Sequence, residues 1–361
     1  MKNCWLAIYI VLAVQFAVPS LASEDVQLNV QSWVHFNTNV SNFEASREFY
    51  GKLGFETLTG FPDTNTLEMA QAIGITTPTE YDGSRGDHAG GYLLHGELIA
   101  PDGFLSGVID LIEFSIPRNE EVPYPSLNRL GMVRAVLETT SVDADYDYLS
   151  GLGVSFLSEP VTRADGTRFA IFKDPDGTFY ELEQVAGDIR ESETTQIVRV
   201  GRVVVNVSDY ERSLQWYGML GFAPARNIPA TDTAEVAHAM GFNSPFEVKG
   251  SILKHQVDGS EIELVQWLTP FDPTPPYSIP VNHIGIHRMA LATSDIHADV
   301  ELLRSEGVQF VSDITPCCSG PDSSSSIVLF YDPDGTLVEL VEQPFFMQLL
   351  MPVFRWINRN F

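Results

Sequence analysis

The stretch FKDPDGTFYELEQ at residues 172–184 returns near the end of the chain as FYDPDGTLVELVEQ at residues 330–343. In both copies Asp-Pro-Asp-Gly stands between two runs of strand-forming residues. Proline presets a turn and glycine is free to take a positive φ, so each copy predicts a tight connection between two antiparallel strands. Each copy also carries a glutamate on its second strand, Glu181 or Glu339, which is a candidate site residue.

A second repeat covers the parts of the chain that are predicted to be helical. VSNFEASREFYGKLGF at residues 40–55 matches VSDYERSLQWYGMLGF at residues 207–222. Apolar residues recur at helical spacing in both copies, and a Leu-Gly-Phe sequence follows, in which glycine ends the helix. Weaker copies at residues 141–163 and 294–316 each lead into an Asp-Pro-Asp-Gly motif. The pattern predicts four copies of one strand, one helix and three strands, which is an α+β fold.

These motifs resemble those of the vicinal oxygen chelate superfamily, which includes glyoxalase I, extradiol ring-cleaving dioxygenases and bleomycin-resistance proteins. The resemblance runs from about residue 30 to residue 343 and includes EIELVQ at residues 261–266. It implies four βαβββ units in two tandem modules, at residues 30–186 and 197–343, with residues 187–196 as linker. Each module is expected to curl its sheets into a half-open cup.

The resemblance also implies where a metal would bind. In metal-binding members the ligands come from the first and last strands of each βαβββ unit, and in module one these positions hold His35, Asp110, Glu181 and Arg134. His35, Asp110 and Glu181 form a ligand set suited to one divalent ion, such as Zn²⁺, Mn²⁺, Fe²⁺ or Ni²⁺. Arg134 stays protonated and cannot ligate, so it and Glu181 are expected to act on the substrate. The alternative is a metal-free polar pocket in which the carboxylates pair with Arg134.

The first strand of module one carries further polar residues. Asn37 and Asn39 alternate with His35, and side chains at alternate positions of a strand share a face. The pattern predicts a wet concave wall, in which Asn37 and Asn39 contact the substrate.

Module two presents a different set at the corresponding positions. The resemblance places Arg202 and Arg288 on its first strands, opposite Glu263 and Glu339. Because guanidinium groups replace a cation there, no metal is expected in module two, and the two arginines are candidate substrate-binding residues. Alternation along the strand sends His287 to the face opposite Arg288.

The charge balance and the two ends of the chain bear on partners and location. A formal charge of −27, from 48 acidic and 21 basic residues, argues against nucleic acid as a partner. Residues 1–22 read as a signal peptide, with Lys2 before an apolar run and a small-residue end at Ala22, which predicts export to the periplasm or the medium. The apolar tail at residues 344–361 favours docking on its own domain, peripheral membrane contact or self-association.

Two cysteines, Cys317 and Cys318, remain in the predicted mature chain. Free thiols, a strained disulfide between the two, and an intermolecular bridge are all compatible with this arrangement.

The resemblance implies a small-molecule ligand with vicinal oxygens. A metal in module one would polarise those oxygens, which favours lyase or isomerase chemistry of the glyoxalase type. One alternative is a non-catalytic binding or sequestering protein, as in antibiotic-binding relatives. A second is an extradiol-type dioxygenase, which is disfavoured because ring-cleaving members have two histidines and one glutamate at these positions, and this chain has only one such histidine, His35.

Overall fold

The computed structural model describes residues 27–61, 66–86, 88–189, 192–317 and 322–342. The predicted signal peptide, the apolar tail and Cys318 lie outside the described residues. Within these ranges, no helix is long and apolar enough to cross a membrane.

Module one contains the first two βαβββ units. Their elements are β1 (Val30–Asn39), α1 (Phe43–Lys52), β2 (Glu56–Gly60), α2 (Leu67–Ala72), β3 (Leu93–Ala100), a 3₁₀ turn (Phe104–Ser106) and β4 (Ile109–Ile116), followed by β5 (Gly131–Thr139), α3 (Val142–Gly151), β6 (Ser155–Phe156), β7 (Val161–Thr162), β8 (Arg168–Lys173) and β9 (Phe179–Gln184).

Module two repeats this order in the third and fourth units. Its elements are β10 (Ile197–Asn206), α4 (Tyr210–Met219), β11 (Phe222–Asn227), α5 (Ala234–Ala239), β12 (Glu247–His255) and β13 (Glu261–Thr269), followed by β14 (Gly285–Thr293), α6 (Ile296–Ser305), β15 (Thr315–Cys317), β16 (Ser325–Tyr331) and β17 (Leu337–Glu342).

The four long helices begin and end as the repeats predict. Each starts at a polar residue whose side chain accepts a backbone N–H bond in the first turn, and these residues are Asn42, Ser141, Asp209 and Asp295. The glycines of the two Leu-Gly-Phe sequences take positive φ, 89° at Gly54 and 90° at Gly221, as the end of a helix requires.

The strands form two sheets, and each sheet combines one unit from each module. The eight-stranded sheet has the order β15-β16-β17-β14-β1-β4-β3-β2, so it joins the first unit to the fourth. The nine-stranded sheet has the order β11-β12-β13-β10-β5-β9-β8-β6, with β7 beside β8, and joins the second unit to the third. We call the concave faces of these sheets cup A and cup B.

The expectation that each module closes its own cup is therefore wrong. The first strands of the units meet across modules, with β1 antiparallel to β14 and β10 antiparallel to β5. Within a module the two units pack instead through their turns and helices. Asp176 in the first Asp-Pro-Asp-Gly turn accepts bonds from Ser41 at the start of α1, and Asp334 in the second accepts them from Ser208 before α4.

The largest hydrophobic cluster fills the space between the sheets and the four long helices. It includes Phe49, Leu149, Trp216 and Leu303, one from each helix. Two smaller clusters line the cups, where α2 packs on β15 and β16 over cup A and α5 packs on β7 over cup B. The four long helices thus cover the backs of the sheets, and the site residues lie on the concave faces.

Cys317 belongs to the apolar cluster of cup A and is disulfide-bonded. The free-thiol interpretation is therefore wrong for this residue. Its partner lies outside the described residues.

Candidate functional site

The predicted site residues are divided between the two cups. Cup A holds His35 and Asp110 from the first unit with Arg288 and Glu339 from the fourth. Glu181 lies on β9 in the other sheet, so the predicted trio of His35, Asp110 and Glu181 is not brought together. Because β14 and not β5 pairs with β1, Glu339 takes the place in cup A that the sequence analysis gave to Glu181.

The polar groups of cup A form one connected cluster. His35 Nε2 lies 3.6 Å from Asp110 Oδ2, and Asn37 Nδ2 donates a hydrogen bond to the same oxygen. Arg288 Nε donates to Glu339 Oε2 at 2.7 Å, and Arg288 Nη2 lies 4.0 Å from Asp110 Oδ2. The predicted pairing of Arg288 with Glu339 is confirmed, and one guanidinium lies close to both carboxylates.

Several buried atoms of this cluster have no hydrogen-bond partner among the described residues. They are both ring nitrogens of His35, Oδ1 of Asn37, Oδ1 of Asp110 and Nη1 of Arg288. A buried polar group left unpaired costs about 1–3 kcal/mol, so native structures rarely gather five such atoms without a ligand or water. Cup A therefore offers both acceptors and a donor to a small polar partner.

Burial sets the charge states in cup A. Desolvation, with the nearby positive charge of Arg288, lowers the pKa of His35 to about 3, so its imidazole is neutral near pH 7 and keeps a free lone pair. Burial raises the pKa of Asp110 well above its usual range, and the Arg288 charge only partly opposes this. A cation beside Asp110 would favour its ionised form.

The structure also changes the prediction about His287. Asn37 pairs with Arg288 and Thr38 with Ile286, so His287 is the extra residue of a β-bulge and simple alternation does not apply to it. Its ring lies 5.2 Å from that of His283, in the loop before β14, and both its nitrogens lack a partner within the described part of the chain. Burial lowers its pKa well below the usual range.

Asn39 stabilises a loop of module two. Its Nδ2 donates to the backbone carbonyls of Val281 and His283, which fixes the loop that enters β14. Asn206 on β10 does the same for the loop that enters β5. The shared use in both sheets indicates a structural role for the Asn39 amide, and a role in substrate binding stays a prediction for both Asn37 and Asn39.

Cup B contains a closed ion network at the equivalent positions. Its members are Arg134, Arg163, Arg202, Glu181, Glu183 and Glu263. None of their side-chain atoms is among the buried, unpartnered atoms of the described residues. Three positive and three negative charges balance one another without a bound ion.

Two glutamates join the arginines of this network. Glu181 accepts from Arg134 Nε at 2.9 Å and from Arg163 Nη1 at 2.7 Å, which confirms that it pairs with Arg134. Burial alone would raise its pKa, but the two guanidinium groups together lower it to about 2. Glu263 accepts from Arg202 Nε at 3.0 Å and from Arg134 Nη2 at 3.3 Å, so the network also links the two modules.

Arg163 and Glu183 were not among the site residues predicted from the sequence. Glu183 binds Arg202 through both carboxylate oxygens, at 3.0 and 2.5 Å. The alternation of Glu181 and Glu183 around Leu182 was a usable signal, because such residues share a strand face. Arg163 gave no such signal, since it follows a strand of only two residues.

A cavity of about 50 Å³ lies in cup B beside this network. One side consists of apolar residues of module two, including Met240, Phe246, Val248 and Trp267. Asp165, Arg226 and Asp232 also line it and are at least partly exposed. The unpaired polar atoms and this cavity are thus in different cups.

Comparisons with known proteins agree with the fold. The chain is similar to glyoxalase I from Zea mays, with 17% identity, a TM-score of 0.60 and coverage of 89% of this chain and 95% of that chain. It is also similar to a Bacillus subtilis protein named as a candidate dioxygenase, with 13% identity, a TM-score of 0.54 and coverage of 88% and 86%. At such identities the likeness shows the fold alone. No curated protein matches the sequence significantly.

The sequence profile of the Glyoxalase/Bleomycin resistance protein/Dioxygenase superfamily matches residues 32–182 and residues 199–340. The two matched regions correspond to the two modules and together cover most of the chain. Members of this superfamily share a fold but differ in chemistry, so the match itself names no reaction. With two curled sheets built from four βαβββ units, the chain belongs to the glyoxalase/bleomycin resistance protein/dioxygenase superfamily.

Proposed function

We propose that cup A is the active site and that it acts on a small molecule with vicinal oxygens in a metal-assisted lyase or isomerase reaction. The observation that carries this proposal is the group of five unpaired buried atoms on His35, Asn37, Asp110 and Arg288. Cup B, built from equivalent strands, has no such group in the described structure. Buried groups without partners favour a site that is completed by a ligand.

His35 and Asp110 are the residues that would hold a divalent ion. Two ligands about 2.1 Å from one ion lie roughly 3.0–3.4 Å apart, and the 3.6 Å between His35 Nε2 and Asp110 Oδ2 needs only a small adjustment. Glu339 is the candidate third ligand, although in this structure it accepts a hydrogen bond from Arg288. When bound, the ion would polarise the oxygens of the substrate.

The remaining groups of cup A have roles that follow from their contacts. Arg288 has an unpaired Nη1 that would donate to a substrate oxygen and stabilise negative charge on it. Glu339, which accepts a hydrogen bond from Arg288, is the carboxylate assigned to moving a proton within the substrate. Asn37 donates to Asp110 Oδ2, the oxygen that lies near His35, and so orients this carboxyl group.

A metal-free binding protein is the second candidate, and one specific observation favours it. Among the described residues, no three His, Cys, Asp or Glu side chains lie close enough to hold an ion as they stand. In this case Arg288 and His35 would contact the ligand directly.

Metal analysis of the purified protein separates these candidates. We expect a stoichiometric divalent ion and a rise in Tm when Zn²⁺, Mn²⁺, Fe²⁺ or Ni²⁺ is added to the stripped protein. His35→Ala and Asp110→Asn should lose both effects. His95→Ala is the matched control, because His95 is exposed and stacks on Phe43 of α1, 3.8 Å between ring centroids. A wild-type protein that takes up no ion and shows no shift would leave only the binding function.

Export of the protein is a separate proposal that rests on the pattern of residues 1–22. Expression of the full chain and sequencing of the mature N-terminus test it. A mature protein that begins after Ala22 supports export, and an intact Met1 in the cell interior contradicts it.

A further inference from the structure

We propose that cup B is a second small-molecule site, one that needs no metal and binds an organic cation carrying an apolar ring. The proposal is independent of the function of cup A. It rests on three features of the cup B cavity, which are its apolar wall, its neutral floor and its acidic mouth.

The apolar wall is aromatic and comes from module two. Trp267 packs against Phe246 and Phe242, with 4.9 Å between ring centroids in each pair, and Met240 and Val248 extend the surface. An aromatic, apolar wall of this kind gains most from burying a ring, because aromatic pairs add to the gain from buried area.

The floor of the cavity consists of arginines and glutamates that already pair with one another. Arg134 and Arg202 line the cavity, and both are bound to Glu263. Because these charges are balanced within the protein, the floor does not select for the charge of a ligand. Selection by charge therefore depends on the mouth.

The mouth carries more negative than positive charge. Asp165 and Asp232 lie there with Arg226, while Arg163 is already paired with Glu181 through two hydrogen bonds. Arg226 is a loose partner, since its side chain is 50% exposed and its Nη1 lies 3.7 Å from Asp165. The formal charge of −27 on the whole chain also attracts cations.

The size of the cavity indicates how such a ligand is placed. A volume of about 50 Å³ holds only part of a ring, so the ligand extends into the mouth. Arg226 can turn outward at little cost because it is half exposed and weakly paired. The ammonium group of the ligand then takes its place beside Asp165 and Asp232, and the ring lies against Trp267.

Calorimetric titration of the full protein with phenethylamine tests this inference. We expect saturable binding of the amine, binding at least about tenfold weaker for the isosteric alcohol 2-phenylethanol, and none for phenylacetate. Equal binding of amine and alcohol, or no binding of the amine at millimolar concentration, would overturn the proposal.

Variants at the mouth should shift the affinity in opposite directions. Asp165→Asn and Asp232→Asn should weaken amine binding by roughly three- to tenfold, because each removes one attractive charge. Arg226→Gln should strengthen it severalfold, because it removes the competing cation. Asp82→Asn is the matched control. The Asp82 side chain accepts a hydrogen bond from the backbone N–H of Ser84, two residues further along the chain, but Asp82 lies in the first unit. A loss of affinity in Arg226→Gln would contradict the proposal.

The same titration distinguishes the two cups. His35→Ala should leave amine binding unchanged, whatever its effect on metal content. If His35→Ala abolished amine binding while Asp232→Asn did not, the probe would be in cup A and the cup B proposal would be wrong.

Discussion

Cup A and cup B are built from equivalent strands, but they differ in how their buried polar and charged groups are paired. The four equivalent pairs are His35 and Arg202, Asp110 and Glu263, Arg288 and Arg134, and Glu339 and Glu181. In cup B every member is held by an ion pair, whereas in cup A several polar atoms have no hydrogen-bond partner among the described residues. Repeating a fold within one chain thus allowed the charged groups of one concave face to pair with one another, while those of the other face kept atoms that a ligand can bind.

Two additional residues account for the closure of cup B. Arg163 and Glu183 complete a balance of three positive and three negative charges there. By strand register the position of Arg163 corresponds to Cys317 in cup A, and that of Glu183 corresponds to Val341. Cup A consequently has one arginine for two carboxyl groups, and a bound cation would favour the ionised form of Asp110, whose pKa burial raises.

The largest effect on stability is expected when an ion pair of the cup B network is removed. Arg202→Met leaves Glu263 and Glu183 buried with a missing partner, so the free energy of unfolding should fall by about 3–5 kcal/mol. Denaturant unfolding measures this. Arg199→Met is the matched control on the same strand, because Arg199 is 55% exposed in its pair with Glu138 and should cost less than about 1 kcal/mol. Equal losses in the two variants would show that the network adds nothing to stability.

The two Asp-Pro-Asp-Gly turns allow a second comparison, through pH. Burial raises the pKa of Asp174 to about 7 and that of Asp332 to about 6. The unfolded value is about 3.9, so the native state binds these protons more tightly and stability from these groups falls as pH rises from about 4 towards 7.

Asparagine at either position should remove part of this pH dependence. Asp174→Asn keeps the oxygen that accepts from the backbone of Asp176 and Thr178 and can still bond Tyr50. Its stability relative to wild type should rise by up to a few kcal/mol between pH 4 and pH 7 and then level off. Asp332→Asn should level off nearer pH 6. Unfolding curves at several pH values measure both, and parallel curves for wild type and variants would refute the assignment.

The repeats predict the units of this fold well but not their partners. The helix caps, the left-handed glycines and the turns are local features, and all can be read from neighbouring residues. The pairing of first strands is not local, because β1 finds an equivalent surface on either β5 or β14. A pattern shared by all four units cannot distinguish these choices. The sequence therefore predicts Glu181 beside His35 and Asp110, where the structure places Glu339.

A substitution that gives cup A the arginine found in cup B should abolish ion binding and stabilise the metal-free protein. His35→Arg places a guanidinium where cup B has Arg202, opposite Asp110. We expect the metal-dependent rise in Tm to disappear, while the stripped protein gains about 1 kcal/mol from the new charge pair. His35→Met is the control of similar size, which should lose the ion without the gain. Retention of the ion by His35→Arg would exclude His35 as a ligand.

The smallest expected effect concerns Asn37, whose equivalent on β10 is Val204. Asn37 donates to Asp110 Oδ2, the oxygen that lies near His35, which makes it a positioning residue for the proposed ion. Asn37→Val should lower stability by about 1 kcal/mol through the lost hydrogen bond and weaken ion binding about tenfold, with His35 and Asp110 intact. Ion titrations followed by Tm measure the second effect. Asn37→Asp offers a contrast, because a third carboxylate should restore or strengthen cation binding; if it behaved like Asn37→Val, Asn37 would serve only to pack cup A.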